Sequence, residues 1–303
     1  MLEINELLRQ NKLHPRKYTK KNKVIFIETD NGKYRIKPRA KDNREIYEYL
    51  KSRSFNYFPK VINSLDDDYE ITPYIESFNI PREQKILDLV DLTSLLHNKT
   101  THYKEITEDD YKEIYEDLNN NIEYLYTYYM DMITIIESKV YMSPCEYTLA
   151  RNISKIFSSL EFIKDELESW YSLVKQKKKK RLVVLHNNLE LDHFINNDMN
   201  YLISWDKSKI DIPIFDLYKL YLKHGLEFDF GEVFKRYEKN YPLYDDEKRL
   251  FFILILFPQK VEFNKSEYEN TKEVGKLIDM LYKTEQFISP YYSNERPEDN
   301  SHK

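Results

Sequence analysis

A chain of 303 residues with 41% hydrophobic content is long enough for one large two-lobed domain or two smaller ones, so size does not limit its core. Its formal charge of −5 lacks the cationic excess that general nucleic-acid binding needs, which excludes nucleic acid as an expected partner. A single cysteine, Cys145, excludes an internal disulfide, and no apolar run reaches the roughly 18 to 20 residues that span a bilayer.

The N-terminus has no apolar signal region, and the expectation is an intracellular, cytoplasmic protein without membrane insertion. Residues 2–10 read as a short helix, and 23–29 with 33–37 read as two alternating strands around Asp30-Asn31-Gly32, a hairpin-turn signal. Asp42 is placed to cap a helix running to about Arg53, with Ile46, Tyr49 and Leu50 on its apolar face. Residues 60–63 and 69–74 read as two further strands joined by the acidic turn 66–68.

From Pro81 the apolar period becomes helical, first over 86–97 with Leu89, Leu92, Thr93 and Leu96 on one face. Two long helices follow, one with Ile114, Leu118, Ile122, Leu125, Tyr129, Met132 and Ile136, the other with Leu149, Ile153, Ile156, Leu160, Ile163 and Leu167. These stripes read as core faces rather than cofactor boxes. Pro144 stands between them, near a helix start where proline is tolerated, and beside it Cys145 reads as a buried thiol rather than a nucleophile. The basic block 177–181 reads as a solvated turn ahead of a buried strand. Further helices are expected near 214–224, 231–240, 245–257 and 268–288, and the polar tail 293–303 is expected to be disordered.

The stretch 182–217, LVVLHNNLELDHFINNDMNYLISWDKSKIDIPIFDL, carries the most information. An apolar run, 182–185, ends in His186; a polar loop follows to Asp192, then a strand, 201–205, and a second polar loop. In kinases the first such loop holds a base Asp and, five residues on, a metal-binding Asn, and the second holds a metal-binding Asp. Those places are taken here by Asn188, His193 and Ser204.

Together with Tyr34-Arg35-Ile36-Lys37, the helix bearing Glu45, the Phe58-Pro59-Lys60-Val61-Ile62 strand entry and Leu95-Leu96-His97, this order resembles the aminoglycoside phosphotransferase and choline kinase group, and within it the spore-coat kinase-like proteins of Gram-positive bacteria. The resemblance implies an α+β, two-lobed protein-kinase-like fold: a small N-lobe, 1–75, with an antiparallel sheet and one helix, and a larger, mainly helical C-lobe, 76–292. It implies that Lys37 touches nucleotide phosphates and that Glu45 pairs with it, with Glu48 one helical turn away as a competitor. The nucleotide-covering loop falls at 18–23, which contains no glycine and so lets a backbone approach phosphate poorly. His186 is implied to shape the catalytic loop, and Asp216 to hold that loop from the following helix.

The altered loop weighs against turnover. Asn188 can hydrogen-bond a hydroxyl but cannot take its proton, and His193 and Ser204 are poor replacements for oxygen ligands of magnesium. The resulting expectation is a catalytically impaired pseudokinase with a protein partner, a spore-associated or spore-coat-type component in which nucleotide binding is left open. The alternative is an active small-molecule phosphotransferase using ATP and magnesium on a hydroxyl acceptor, with Asp206 filling the metal position left at Ser204 and Glu190 or Asp192 replacing the base. For Asp206 a solvated loop carboxylate near Lys207 and Lys209 is the favoured reading. A zinc site at His186 and His193 lacks a third ligand at convincing spacing.

Overall fold

Alternating apolar residues make the first sheet. In the computed structural model, which describes residues 2–39, 41–62 and 68–293, helix α1 (Leu2–Gln10) is followed by strands β1 (Pro15–Lys21), β2 (Val24–Thr29) and β3 (Gly32–Pro38), helix α2 (Arg44–Ser52) and strand β4 (Tyr69–Pro73). The four strands form an antiparallel sheet in chain order. Ile27, Ile36 and Ile71 share one face and pack with Leu7, Leu8 and Leu13, so α1 and the segment after it cover that side. Gly32 follows the Asp30-Asn31 turn at φ +131, a conformation that side chains rarely adopt.

Strand β1 replaces part of the loop expected over 18–23. Lys21 pairs with Val24 across a two-residue turn in which Asn22 takes a left-handed φ of 56. The sequence concealed this strand because nearly all its side chains face solvent, leaving no apolar alternation to read. Residues 60–62 are not a strand either; one bond, Ile62 N–H to Ile71 O at 2.9 Å, ties them to β4. Residues 66–67 of the turn expected over 66–68, the strand end at Asn63 and the tail from 294 lie outside the described residues.

Helix α3 (Arg82–Thr100) leads to strand β5 (His102–Glu105), the long helices α4 (Glu108–Glu137) and α5 (Pro144–Val174), and strand β6 (Lys179–Leu185). Short strands β7 (Phe194–Ile195), β8 (Tyr201–Leu202) and β9 (Lys209–Asp211) precede helices α6 (Ile214–His224), α7 (Phe230–Asn240), α8 (Asp245–Leu256) and α9 (Glu267–Ser293). Capping boxes start the two long helices, Thr107 with Asp110 on α4 and Ser143 with Glu146 on α5. Among the described residues no helix is long and apolar enough to cross a membrane.

The chain forms two compact units, each discontinuous: 1–101 with 183–211, and 102–182 with 212–303. The first holds the four-stranded sheet, α1 to α3 and both polar loops. The second is mainly helical. Its α5 buries Leu149, Ile156, Leu160, Ile163 and Leu167, while Phe230, Phe234, Phe251 and Phe287 form an aromatic cluster from α7, α8 and α9. Burying each such side chain stabilises by about 1.5–3 kcal/mol.

The basic block is not a solvated turn. Residues 179–182 pair with β5, and the buried Arg181 guanidinium donates from Nε to Glu247 Oε1 at 2.9 Å and from Nη2 to Oε2, while stacking on Tyr244. Lys177 reaches Asp246. A charge run can be read as solvated only while its partners are unknown, and these lie 66 and 69 residues downstream on α8.

Candidate active site

The two polar loops are stitched together by hydrogen bonds that their sequences do not announce. His186 is fully buried at the end of β6, and its Nε2–H donates to Ile203 O at 2.9 Å. Asn187 takes a left-handed φ of 61, which asparagine tolerates, and its amide donates to Lys207 O at 2.7 Å. Ser204 is also left-handed, at φ 68 and ψ 54, and the chain then makes one 3₁₀ turn, Trp205–Lys207. The strand expected over 201–205 therefore ends at Leu202.

Trp205 anchors that turn. It is 1% exposed, its indole N–H donates to Leu202 O at 2.9 Å, and its ring meets Tyr47, Phe55, Phe58 and His186, the last at 4.8 Å between centroids. An aromatic plug from α2, the following loop and β6 thus fixes the residue between Ser204 and Asp206. Edge-on aromatic pairs of this kind are worth about 0.5–1.5 kcal/mol beyond the area they bury.

Asp206 is aimed at Lys37. The Lys37 Nζ lies 2.9 Å from both carboxylate oxygens, with the lysine side chain 12% exposed and the aspartate 31%. This overturns the reading of Asp206 as a solvated carboxylate near Lys207 and Lys209; Lys209 pairs instead with Asp211. The 3₁₀ turn, rather than two-residue strand alternation from Ser204, brings Asp206 there.

Glu45 does not pair with Lys37. Glu45 and Glu48 are both exposed on α2, and the residue between them that faces inward is Tyr47, 8% exposed. Burial pushes the Tyr47 phenol well above its usual range, helped by the negative charges of Glu70 and Asp206 and opposed by Arg35 and Arg39. Helix phase decides this outcome: Tyr47 and Leu50 are the buried positions, which turns 45 and 48 outward.

At the base position Asn188 is half-buried, and its side chain bonds nothing among the described residues, while its carbonyl accepts from His193 Nδ1 at 2.8 Å. A carbonyl can only accept, so Nδ1–H is the donor in that bond. Both histidine rings thus bond backbone carbonyls, and among the described residues no three His, Cys, Asp or Glu gather as a metal site would require. Glu190 precedes the 3₁₀ turn Leu191–His193, its carbonyl accepting from His193 N–H, and Asp192 is exposed on the turn. Asp216 is fully buried in the first turn of α6, in the second unit.

Sequence reasoning missed Glu70, Arg35 and Arg39. Glu70 is 4% exposed and lies opposite Lys37 in the β3–β4 register. The available signal was plain alternation: positions 35, 37 and 39 must share a face.

A small antiparallel sheet with α2, two stitched polar loops and a lysine–aspartate pair define a protein-kinase-like fold, and the chain has the fold of the aminoglycoside phosphotransferases. An aminoglycoside phosphotransferase from Alicyclobacillus acidocaldarius superposes with a TM-score of 0.69 over 92% of both chains, at 9% identity. Spectinomycin phosphotransferase APH(9)-Ia is similar in its AMP complex (TM-score 0.56, 14% identity, 94% of this chain and 99% of that one). Its complex with ADP and spectinomycin gives 0.54, again at 14% identity, over 94% and 98%. By sequence alone, neither a family model nor a curated protein matches.

Proposed function

We propose that the chain is an ATP-dependent phosphotransferase acting on a hydroxyl group of a small molecule, with Lys37 on the nucleotide phosphates and Asp206 as the metal-binding carboxylate. The observation that carries this is the two-oxygen contact of Asp206 with Lys37 at 2.9 Å. A carboxylate beside the phosphate lysine is what the altered metal loop was thought to lack. Magnesium is commonly held by only one or two carboxylates together with substrate phosphates, so a partly open Asp206 beside the Ser204 hydroxyl fits it. When bound there, magnesium would neutralise charge on the phosphoryl oxygens. The phosphotransferase fold and the ADP- and spectinomycin-bound neighbour support the same class of reaction.

A second reading has its own observation. Asn188 cannot accept a proton, and Asp192 is exposed to solvent. On that ground the chain would be a pseudokinase, a coat-type component that binds a protein partner. The test is ATP turnover with magnesium against a panel of hydroxylated metabolites, using wild type and Asp206→Ala. Turnover that Asp206→Ala abolishes supports the phosphotransferase. Absence of turnover with every acceptor, with no thermal stabilisation by ATP, leaves the partner-binding reading in its place.

A further inference from the structure

Three more cations alternate with Lys37 on the same side of its strand: Lys33, which is exposed and paired with Glu76, and the two arginines Arg35 and Arg39. Arg35, Lys37 and Arg39 alternate along one face of β3 and its continuation, while Ile36 enters the apolar cluster behind. The register extends through Arg39, whose N–H donates to Asp68 O at 2.8 Å. Arg35 and Arg39 are half-buried, and among the described residues Arg35 Nε and Arg39 Nε and Nη1 are buried without a hydrogen-bond partner. Among the described residues the guanidiniums make one bond, a long one from Arg39 Nη2 to Tyr69 O at 3.4 Å.

Among the described residues the carboxylates nearby do not satisfy them: Asp206 is engaged by Lys37, and Glu70, opposite Lys37 in register, bonds neither arginine. The charges of Arg35, Arg39, Glu70 and Asp206 are all felt at the Tyr47 hydroxyl, the carboxylates raising and the arginines lowering its pKa. A buried donor left unmade is costly, so two such arginines beside the phosphate lysine are placed to take an acceptor from a bound ligand. A guanidinium is always charged and offers paired donors that match phosphate oxygens. In the same unit, positions 193 and 204, where the resemblance expects metal ligands, hold a histidine and a serine.

Resting on the phosphotransferase reading above, we propose that Arg35 and Arg39 are phosphate-binding residues, and that they neutralise charge usually left to magnesium, so that a nucleoside di- or triphosphate binds this chain without a divalent metal. Turnover still needs the metal at Asp206; binding does not.

The experiment is calorimetric titration of the full chain with ATP, in EDTA and in magnesium, for wild type, Arg35→Met and Arg39→Met, with adenosine as the phosphate-free probe. Wild type is expected to bind ATP in EDTA within about tenfold of its affinity in magnesium. Each arginine variant should lose about 10- to 100-fold of the metal-free affinity while adenosine binding stays unchanged. Thermal midpoints of the ligand-free variants give an independent reading: removing unmade donors should leave them level or raise them, whereas a clear fall would assign the arginines a structural role and overturn the proposal. ATP binding that requires magnesium and ignores both substitutions also overturns it, yet leaves the phosphotransferase standing. No ATP binding under either condition sinks both.

Discussion

Asp206 shows how far one side chain can alter the reading of a site. The sequence puts it two positions beyond the expected metal ligand, and only the left-handed backbone at Ser204 and the following 3₁₀ turn carry it to Lys37. If it holds the metal, Asp206→Asn should lower kcat by about 100-fold or more, since metal charge stabilisation is worth several kcal/mol and each ~1.4 kcal/mol is tenfold. A coupled assay of ADP release measures this. Asn188 makes the reverse prediction. A positioned base contributes roughly 10²- to 10⁴-fold, so Asn188→Asp should raise kcat by about 100-fold. An unchanged rate would mean that position 188 does not face the acceptor.

At the scale of elements, what was legible followed from periodicity. The stripes on α4 and α5 were readable because burial repeats every three or four residues, and the hairpin between β2 and β3 because Asp-Asn-Gly demands a turn. Strand β1 was hidden by its polar composition, and the 3₁₀ turn after β8 is too short to have a period. Trp205 is the consequential element-scale residue: Trp205→Ala should destabilise by about 3–5 kcal/mol in denaturant melts and weaken ATP binding, because Ser204 and Asp206 flank it. The start of α2 has a pH signature. Arg44 donates to Asp42 from its side chain and its backbone N–H, holding the Asp42 carboxyl down from 3.8 to about 2. Its contribution to the helix start is therefore complete above about 3.8 and lost as pH falls toward 2. Carboxyl chemical shifts should show the low midpoint, and Arg44→Ala, which removes the guanidinium but keeps the backbone N–H, should raise it part of the way toward 3.8.

For the whole molecule, the kinase-like α+β architecture was legible because the order of elements is a long pattern that survives local misreadings. Long-range charge pairing was not. The basic block 177–181 looked solvated because nothing local distinguishes a free arginine from one whose carboxylate arrives with α8. Arg181 and Glu247 have side chains only 8% and 6% exposed, so Glu247→Ala should cost about 3–5 kcal/mol by leaving a guanidinium buried alone. Equilibrium unfolding would show it, and a loss below about 1 kcal/mol would mean that water reaches the site.

Lys37 and Asp206 are 169 positions apart, and Trp205 completes a plug whose other rings come from Tyr47, Phe55 and Phe58. During synthesis those three rings leave the ribosome first. At about 5–20 residues per second, the tryptophan that shields them follows on the order of ten seconds later. Until then the nascent chain carries an uncovered greasy face, an opening for a chaperone to hold it.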